Sequence, residues 1–209
     1  MKRSYDPDQI LSGVHFQPLD RILAGRFGDE EGTAIKKRIR ERLCVLLESH
    51  QEDDDALWDE SSNYILPSIA VYLTLKDCVG SRGALDLFRT IYFEAAYKGA
   101  DFLQGKAEDQ SFREGFAHDM AGNKEGERGG FRFHLVKDDS TGAEFHVFQC
   151  PYCDFCAAYQ CQELVPVFCE CDDIVYGNIH PLLRWERTET LGRGQKRCNF
   201  KFSILPEEK

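Results

Sequence analysis

The sequence predicts an α+β fold in which N-terminal helices pack on a C-terminal antiparallel sheet. Two observations support this prediction. Apolar residues recur every three or four positions up to about residue 105, and every second position after residue 130. The glycine-rich segment Gly122–Gly130 separates the two patterns. Helices followed by antiparallel strands give an α+β arrangement rather than a parallel α/β sheet.

Three amphipathic helices are expected in the first half of the chain. The first covers Asp29 to His50, where isoleucine and leucine line one face and charged residues fill the others. A second, kinked helix follows an acidic run and is interrupted or restarted at Pro67. The third begins after Gly80 and ends near Gly105.

Four strands and one further helix are expected in the second half. Phe131–Leu135 and Phe145–Phe148 alternate apolar and polar residues around a polar turn, the pattern of a β-hairpin. A helix is expected from Cys161 to Tyr176, entered from a loop over Cys150–Cys153. The closing strands are expected at Leu182–Leu191 and Arg197–Leu205.

Length and charge limit the class of protein. We expect residues 1–209 to form a single domain, mainly helical over 1–121 and cysteine-rich and β over 130–209. The net charge of −10 disfavours nucleic acid as a partner, because phosphates would be repelled. No membrane helix or signal peptide is expected, so a cytoplasmic protein that acts on a small molecule is predicted. A homodimer is left open.

Seven of the nine cysteines lie in the last third of the chain. Nine cysteines in a chain of 209 residues are too few for a typical disulfide scaffold. Metal binding, thiol chemistry and a role as plain core residues are the alternatives. The simplest role for four of them is that of a small apolar core residue. Those four are Cys44, Cys78, Cys156 and Cys161.

Two metal centres can be considered. The run Cys150–Cys156 has the spacing of the first three ferredoxin ligands, but Cys161 does not continue that pattern. A structural zinc site would combine two cysteine pairs, although the one-residue gap of the second pair is tight for a zinc chelate. Those pairs are Cys150 with Cys153 and Cys169 with Cys171. No cofactor is predicted firmly, and zinc or another divalent metal stays an alternative.

Two histidines of the hairpin form a second candidate site. If Lys137 pairs with Ala143, His134 lies opposite His146 with β-carbons about 5 Å apart. Such a pair can bind a metal or orient a substrate. A register change of one residue would separate them, and two unrelated histidines are the alternative.

The stretch from Cys150 to Phe202 resembles the L-2-amino-thiazoline-4-carboxylic acid hydrolase family. A weaker likeness reaches back through Leu66-Pro67 and brings in about two thirds of the chain. The closing motif also looks like the ligand-binding domains related to vinyl reductases. The motifs, in order, are Cys150 at a strand end, Glu163-Leu164, Phe168-Cys169-Glu170-Cys171-Asp172, Arg187-Thr188-Glu189-Thr190-Leu191 and Gly194-x-x-x-Cys198-x-Phe200.

The resemblance implies a hydrolase that opens the ring of a cyclic amidine with water to give an N-carbamoyl cysteine. The residues that match its motifs, and that it implies to be catalytic, are Cys150, Cys169, Asp172 and Cys198. Additional cysteines at Cys153, Cys156 and Cys171 depart from the family pattern. This departure leaves open whether the chain carries out the same reaction or acts on another substrate.

Such a hydrolysis needs a nucleophile, a proton donor for the leaving atom and a group that holds the substrate carboxylate. Cys150 is the expected nucleophile or an essential substrate contact, with a thiol pKa below about 8.5. Asp172 is the expected acid or base, and Arg187 the carboxylate clamp. The other expected substrate contacts are Thr190, His146 and His134.

These roles have plain alternatives. Asp172 would otherwise be a solvated helix residue and Arg187 an exposed strand cation. If the enzyme interpretation holds, Cys150, Cys169 and Cys198 converge at one site. The competing hypothesis is a binding or sensing module that holds a small ligand or metal in a cysteine-rich pocket without catalysis.

Overall fold

The computed structural model describes residues 3–122 and 124–206, and it confirms the α+β fold. Helices fill the N-terminal part, and a five-stranded antiparallel sheet lies toward the C-terminus. The chain divides into two compact units. The first comprises the chain up to Ala95 with Asp154–Val165, and the second comprises Ala96–Cys153 with the chain from Pro166 onward. That all of the chain forms one domain stays a prediction.

The helix predicted from Asp29 to His50 is confirmed as a helix that ends one residue earlier. Three acidic residues occupy its first turn, where they interact favourably with the positive end of the helix dipole. Its apolar stripe is fully buried. The helices up to Ala107 are α1 (Pro7–Leu11), α2 (Leu19–Phe27), α3 (Asp29–Ser49), α4 (Asp55–Glu60) and α5 (Leu66–Ala107), with a 3₁₀ turn at Val14–Phe16 and a π-helical turn at Ser61–Ile65.

The break expected at Pro67 lies slightly earlier in the chain. The π-helical turn joins α4 to α5 without a gap, and Pro67, the second residue of α5, has no N–H group to donate to the turn before it. The third predicted helix is the second part of α5. It follows Gly80, whose φ of 73° and ψ of 169° interrupt the helical backbone in a conformation that glycine adopts readily.

The sheet contains one strand more than predicted. The first strand lies inside the segment Gly122–Gly130 that was expected to be an irregular connector, and it pairs with the strand that follows. The strands are β1 (Gly126–Arg128), β2 (Phe131–Asp139), β3 (Gly142–Gln149), β4 (Leu183–Glu186) and β5 (Cys198–Ile204). Their order across the sheet is β1-β2-β3-β5-β4, and every pair is antiparallel.

The predicted hairpin is confirmed as β2 and β3, but its register differs near the turn. Lys137 pairs with Glu144, and Ala143 pairs with Asp138, so the predicted pairing of Lys137 with Ala143 is wrong. His134 nevertheless lies opposite His146. A register shift between Leu135 and Lys137 adds one residue to β2 and restores the expected pairing beyond it.

The helical segments after β3 also differ from the prediction. The segment Cys150–Cys153 is not a loop, because helix α7 (Pro151–Ala158) begins at Pro151. A 3₁₀ turn at Gln162–Leu164 leads to α8 (Val165–Tyr176), so the single helix expected from Cys161 is a turn followed by a shorter helix. The closing strands are shorter than expected, and a 3₁₀ turn at Leu191–Arg193 lies between them.

The core of the second unit lies between helix α6 (Gln110–Ala121) and the inner face of the sheet. Ala143, Phe145 and Val147 alternate along β3 and are buried on this face. Cys198 and Phe202 of β5 belong to the same core. Among the helices that the structure describes, none is long and apolar enough to cross a membrane.

Candidate functional site

Two of the predicted catalytic cysteines meet at the hydroxyl of Thr190. Cys169 of α8 places its Sγ 3.0 Å from Thr190 Oγ1, and Cys198 at the start of β5 places its Sγ 3.6 Å from the same oxygen. The backbone N–H of Leu191 donates to Cys198 Sγ at 3.3 Å. Because both sulfurs contact one oxygen, they are close neighbours. A helix, a turn and a strand therefore each supply one member of a buried polar cluster, the thiol cluster of Cys169, Thr190 and Cys198.

The backbone around Thr190 fixes this hydroxyl. Thr190 is extended and precedes the 3₁₀ turn, which ends at Gly194 with a left-handed φ of 81°. Its Oγ1 accepts from the N–H of Gly192 at 3.2 Å, and its own N–H donates to Gln195 Oε1 at 2.6 Å. The thiol cluster thus depends on local hydrogen bonds of the turn.

The Thr190→Val variant should therefore unfold more easily. Valine keeps the branched shape but removes the hydroxyl, which leaves the Gly192 N–H without this partner. We expect a loss of about 1–2 kcal/mol in the free energy of unfolding, measured by urea denaturation. Thr190→Ser retains the hydroxyl and is the control. Wild-type stability in the valine variant would show that these hydrogen bonds contribute nothing.

Arg187 connects the thiol cluster to two carboxylates. Its Nη1 donates to Asp172 Oδ2 at 2.6 Å, and its Nη2 donates to Asp173 Oδ1 at 2.8 Å and to the Cys169 carbonyl at 2.6 Å. The guanidinium faces the rings of Trp185 and Phe200 at 5.1 and 5.2 Å. Arg187 is therefore no exposed strand cation, since its side chain is only 2% exposed.

In this geometry Arg187 binds carboxylates of the protein itself, and its role as a clamp on a substrate carboxylate stays a prediction. Both terminal nitrogens already donate to protein oxygens, and the planar group packs beside two aromatic rings that are themselves neighbours. A guanidinium held in this way fixes the positions of its acceptors. Arg187 is therefore a positioning residue for Asp172 and Asp173.

Asp172 combines access to solvent with an unusual acidity. Its side chain remains 37% exposed, yet desolvation by the dense surrounding protein raises the pKa to about 6. Arg187 opposes this rise and the charge of Asp173 adds to it. Asp173 has the same exposed fraction but bonds two cations, Arg187 and, at 3.3 Å, Arg193. Of the two carboxylates, Asp172 is the one suited to exchange protons near neutral pH.

The thiols of the cluster keep their protons at neutral pH. Burial raises the pKa of Cys169 to about 11, although the Thr190 hydroxyl and Arg187 partly oppose the rise. Burial also raises the pKa of Cys198. Cys171, on the same helix, has a pKa raised mainly by burial and further by the charge of Asp172. These sulfurs are therefore hydrogen-bonding groups and not resting thiolates.

Cys150 differs from the prediction in its acidity. It follows β3 as expected and is half-buried, but a hydrogen bond shared with the sulfur of Cys153 raises its pKa well above the usual range, and burial adds to this rise. The predicted lowering of its pKa is wrong. The charge of Cys153 adds to the raised pKa of Cys198. That Cys150 itself converges with Cys169 and Cys198 stays a prediction.

The two histidines lie on the other face of the sheet. Val147 pairs with Cys198 on the inner face, and His146, its neighbour along the strand, points to the opposite face. His146 lies 3.1 Å from an Arg197 nitrogen, and His134 lies 3.3 Å from Glu125. The structure therefore does not bring either histidine to the thiol cluster.

The zinc alternative finds no ligand set in the described part of the chain. No group of three or more histidine, cysteine, aspartate or glutamate side chains there is arranged to hold a metal ion. Cys169 and Cys171 are two positions apart on α8, and such residues do not face each other on a helix. The side chains of Cys169 and Cys171 therefore point in different directions and do not form the second ligand pair of a zinc site.

Three residues around Arg187 were missed: Asp173, Trp185 and Phe200. The doubled aspartate was a sequence signal for the first, because a cation near one of two adjacent carboxylates also attracts the other. The alternation of Trp185 and Arg187 was a signal for the second, since it places both on one face beyond the end of β4. Phe200 needed the pairing of β4 with β5, which the sequence does not show.

A separate pocket lies in the first unit. It has a volume of about 430 Å³ and is lined by residues that include Tyr5, His15, Trp58 and Tyr64. None of the predicted site residues lines it, because all of them belong to the second unit.

Comparison with known proteins finds a family model that matches most of the chain. The family model described as "L-2-amino-thiazoline-4-carboxylic acid hydrolase" matches residues 58–202. That span covers more than half of the chain and contains every predicted site residue, from His134 to Cys198. No curated protein and no solved structure matches the chain.

Proposed function

Because the chain belongs to the L-2-amino-thiazoline-4-carboxylic acid hydrolase family, we propose that it hydrolyses the ring of a small cyclic amidine or thiazoline. The representative substrate is 2-amino-thiazoline-4-carboxylate. Its ring carbon is bonded to two nitrogens and one sulfur, so attack by water and loss of the sulfur open the ring. The proposed product is an N-carbamoyl cysteine with a free thiol.

The position of Asp172 is the observation that carries this proposal. Arg187 binds Oδ2 of its carboxylate, and within the described residues no group hydrogen-bonds to Oδ1. The side chain is partly accessible, and its pKa of about 6 leaves most of the carboxylate ionised at neutral pH. A fixed carboxylate with one available oxygen is suited to accept a proton from water.

The chemistry then needs one proton acceptor that later becomes a donor. Asp172 accepts one proton as the water oxygen bonds to the ring carbon, and the C=N electron pair moves onto the ring nitrogen, which takes a proton from solvent. The tetrahedral intermediate then loses its hydroxyl proton to solvent and forms the C=O bond as the carbon–sulfur bond breaks. The leaving thiolate takes the proton from Asp172, which returns to its ionised form. Arg187 holds the carboxylate in place throughout and supports its negative charge at the start and end.

The thiols have a supporting role in this mechanism. Cys169 and Cys198 are protonated and offer weak S–H donors and polarisable surface beside the ring sulfur. With its raised pKa, Cys150 is better suited to contact the substrate than to attack it. The reaction therefore proceeds without a covalent enzyme intermediate.

The reaction rate should follow the ionisation of Asp172. Only the carboxylate accepts a proton, so kcat/KM should rise with pH through about 6 and level off above it. The measurement is product formation by chromatography across this pH range. Profiles of folded protein by circular dichroism at each pH are the control. A rate independent of pH near 6, with the fold intact, would contradict this role.

A further inference from the structure

Cys150 and Cys153 form a closely matched pair of thiols at the start of helix α7. Cys150 immediately precedes the helix, and the N–H of Cys153 donates to the Cys150 carbonyl at 3.0 Å. Their two sulfurs share a hydrogen bond, so the side chains point toward each other. Residues three positions apart in a helical turn have β-carbons about 5–6 Å apart, and a disulfide needs about 3.5–4.5 Å, so a shift of about 1–2 Å in the first turn closes the bond.

We propose that Cys150 and Cys153 are a thiol–disulfide exchange site, which low-molecular-weight disulfides oxidise reversibly to an intramolecular disulfide. The pair is half-buried, so a small disulfide can approach it without unfolding of the chain. This inference goes beyond the proposed hydrolase function and does not depend on it.

A second pair in the chain shows why access matters. Cys156 and Cys161 also share a hydrogen bond between their sulfurs, and the N–H of Cys161 donates to the Cys156 carbonyl at 2.8 Å. Both of these residues are fully buried, with 0% exposure. In both pairs the two sulfurs share a hydrogen bond, but the pairs differ in their exposure to solvent. The buried pair is therefore an internal control for the half-buried pair.

The order of the two sulfurs follows from their hydrogen bond. Because the bond raises the pKa of Cys150, Cys150 keeps its proton and donates it to the sulfur of Cys153. The first turn of α7 also favours negative charge on a sulfur placed there. Cys153 is therefore the sulfur that attacks first.

The exchange is balanced in two steps. In the first, the Cys153 thiolate attacks one sulfur of the small disulfide, forms a mixed disulfide and releases one small thiolate. In the second, the Cys150 thiol loses its proton, attacks the Cys153 sulfur and releases the second small thiol. The protein pair loses two electrons and two protons, and the small disulfide gains both.

The test uses the full chain, fully reduced and then incubated with oxidised glutathione at neutral pH. Free thiols are alkylated at intervals, and peptides are mapped by mass spectrometry. We expect a Cys150–Cys153 disulfide to form at least about ten-fold faster than any Cys156–Cys161 disulfide, since the buried pair needs local opening. Dithiothreitol should restore both thiols.

Two variants test the order of attack. Cys150→Ser should stop at a mixed disulfide of glutathione on Cys153, and Cys153→Ser should react far more slowly. The proposal is overturned if the wild-type pair stays reduced, if Cys156 and Cys161 oxidise equally fast, or if Cys153 bonds to Cys198 instead. Peptide mapping of the wild-type protein decides the main claim even if a variant fails to fold.

Discussion

Asp172→Asn should lower kcat/KM for 2-amino-thiazoline-4-carboxylate by about 10²–10⁴-fold, the usual range for loss of a general base. Asparagine has nearly the shape of aspartate and can still accept from Arg187 Nη1, which lies 2.6 Å from Asp172 Oδ2. It cannot take a proton from water. The measurement is initial product formation under conditions of low substrate, and any remaining rate should lose its dependence on pH near 6.

Asp173→Asn is the matched control. Asp173 neighbours Asp172 on α8, bonds the same guanidinium at 2.8 Å and has the same 37% exposed side chain. It is already paired with two cations, so we expect its replacement to lower kcat/KM by less than about ten-fold. Equal losses in the two variants would show that negative charge beside Arg187 matters and that proton transfer at Asp172 does not.

Arg187→Met should destabilise the protein by about 3 kcal/mol in the free energy of unfolding. Methionine fills similar space beside Trp185 and Phe200, but it leaves two carboxylates and the Cys169 carbonyl without their shared donor. Removing one partner of a buried ion pair typically costs about 3–5 kcal/mol, and the low end applies because the carboxylates are partly exposed. Urea denaturation at neutral pH measures the change.

Two further variants define what Arg187 contributes. Arg193→Met removes an arginine that is 55% exposed and bonds Asp173 at 3.3 Å, and it should cost less than about 1 kcal/mol. Arg187→Lys keeps the charge but cannot reach three acceptors with one ammonium, so it should be destabilised almost as much as the methionine variant. Wild-type stability in Arg187→Met would contradict the assigned positioning role.

The parts of the fold with strong local signals could be predicted. Helix α3 has a long apolar stripe and an acidic first turn, and the β2–β3 hairpin has clear alternation on both sides of its turn. Helix α7 also carried a signal, because Pro151 is favoured at the first position of a helix. The cysteines around Pro151 suggested a loop, and that interpretation was wrong.

Other features depend on contacts that the sequence does not display. Strand β1 is a polar, glycine-flanked segment that is held by pairing with β2. The bulge near Val136 preserved the facing histidines even though the assumed register at the turn was wrong. The opposite orientations of His146 and Cys198 follow from the pairing of β3 with β5, so their separation became visible only in the folded sheet.

Which residues of the candidate site lie together was easier to predict than their pKa values and orientations. The convergence of Cys169 with Cys198 was predicted, whereas their shared contact with Thr190 and the pairing of Asp172 with Arg187 were not. That Cys150 joins them stays a prediction. The pKa of Cys150 could not be predicted, because it depends on burial and on a hydrogen bond with the sulfur of Cys153. The direction of a guanidinium is likewise set by the folded positions of its acceptors.

Identification of the reaction product is the most direct test of the proposed ring hydrolysis and of the role of Asp172. Purified protein is incubated with 2-amino-thiazoline-4-carboxylate in water enriched in the heavy oxygen isotope, beside the Asp172→Asn variant, and the products are analysed by mass spectrometry. We expect an N-carbamoyl cysteine that carries one heavy oxygen in its carbamoyl group, formed by the wild type and hardly by the variant. Unchanged substrate with the folded wild-type protein, or equal turnover by the variant, would contradict it.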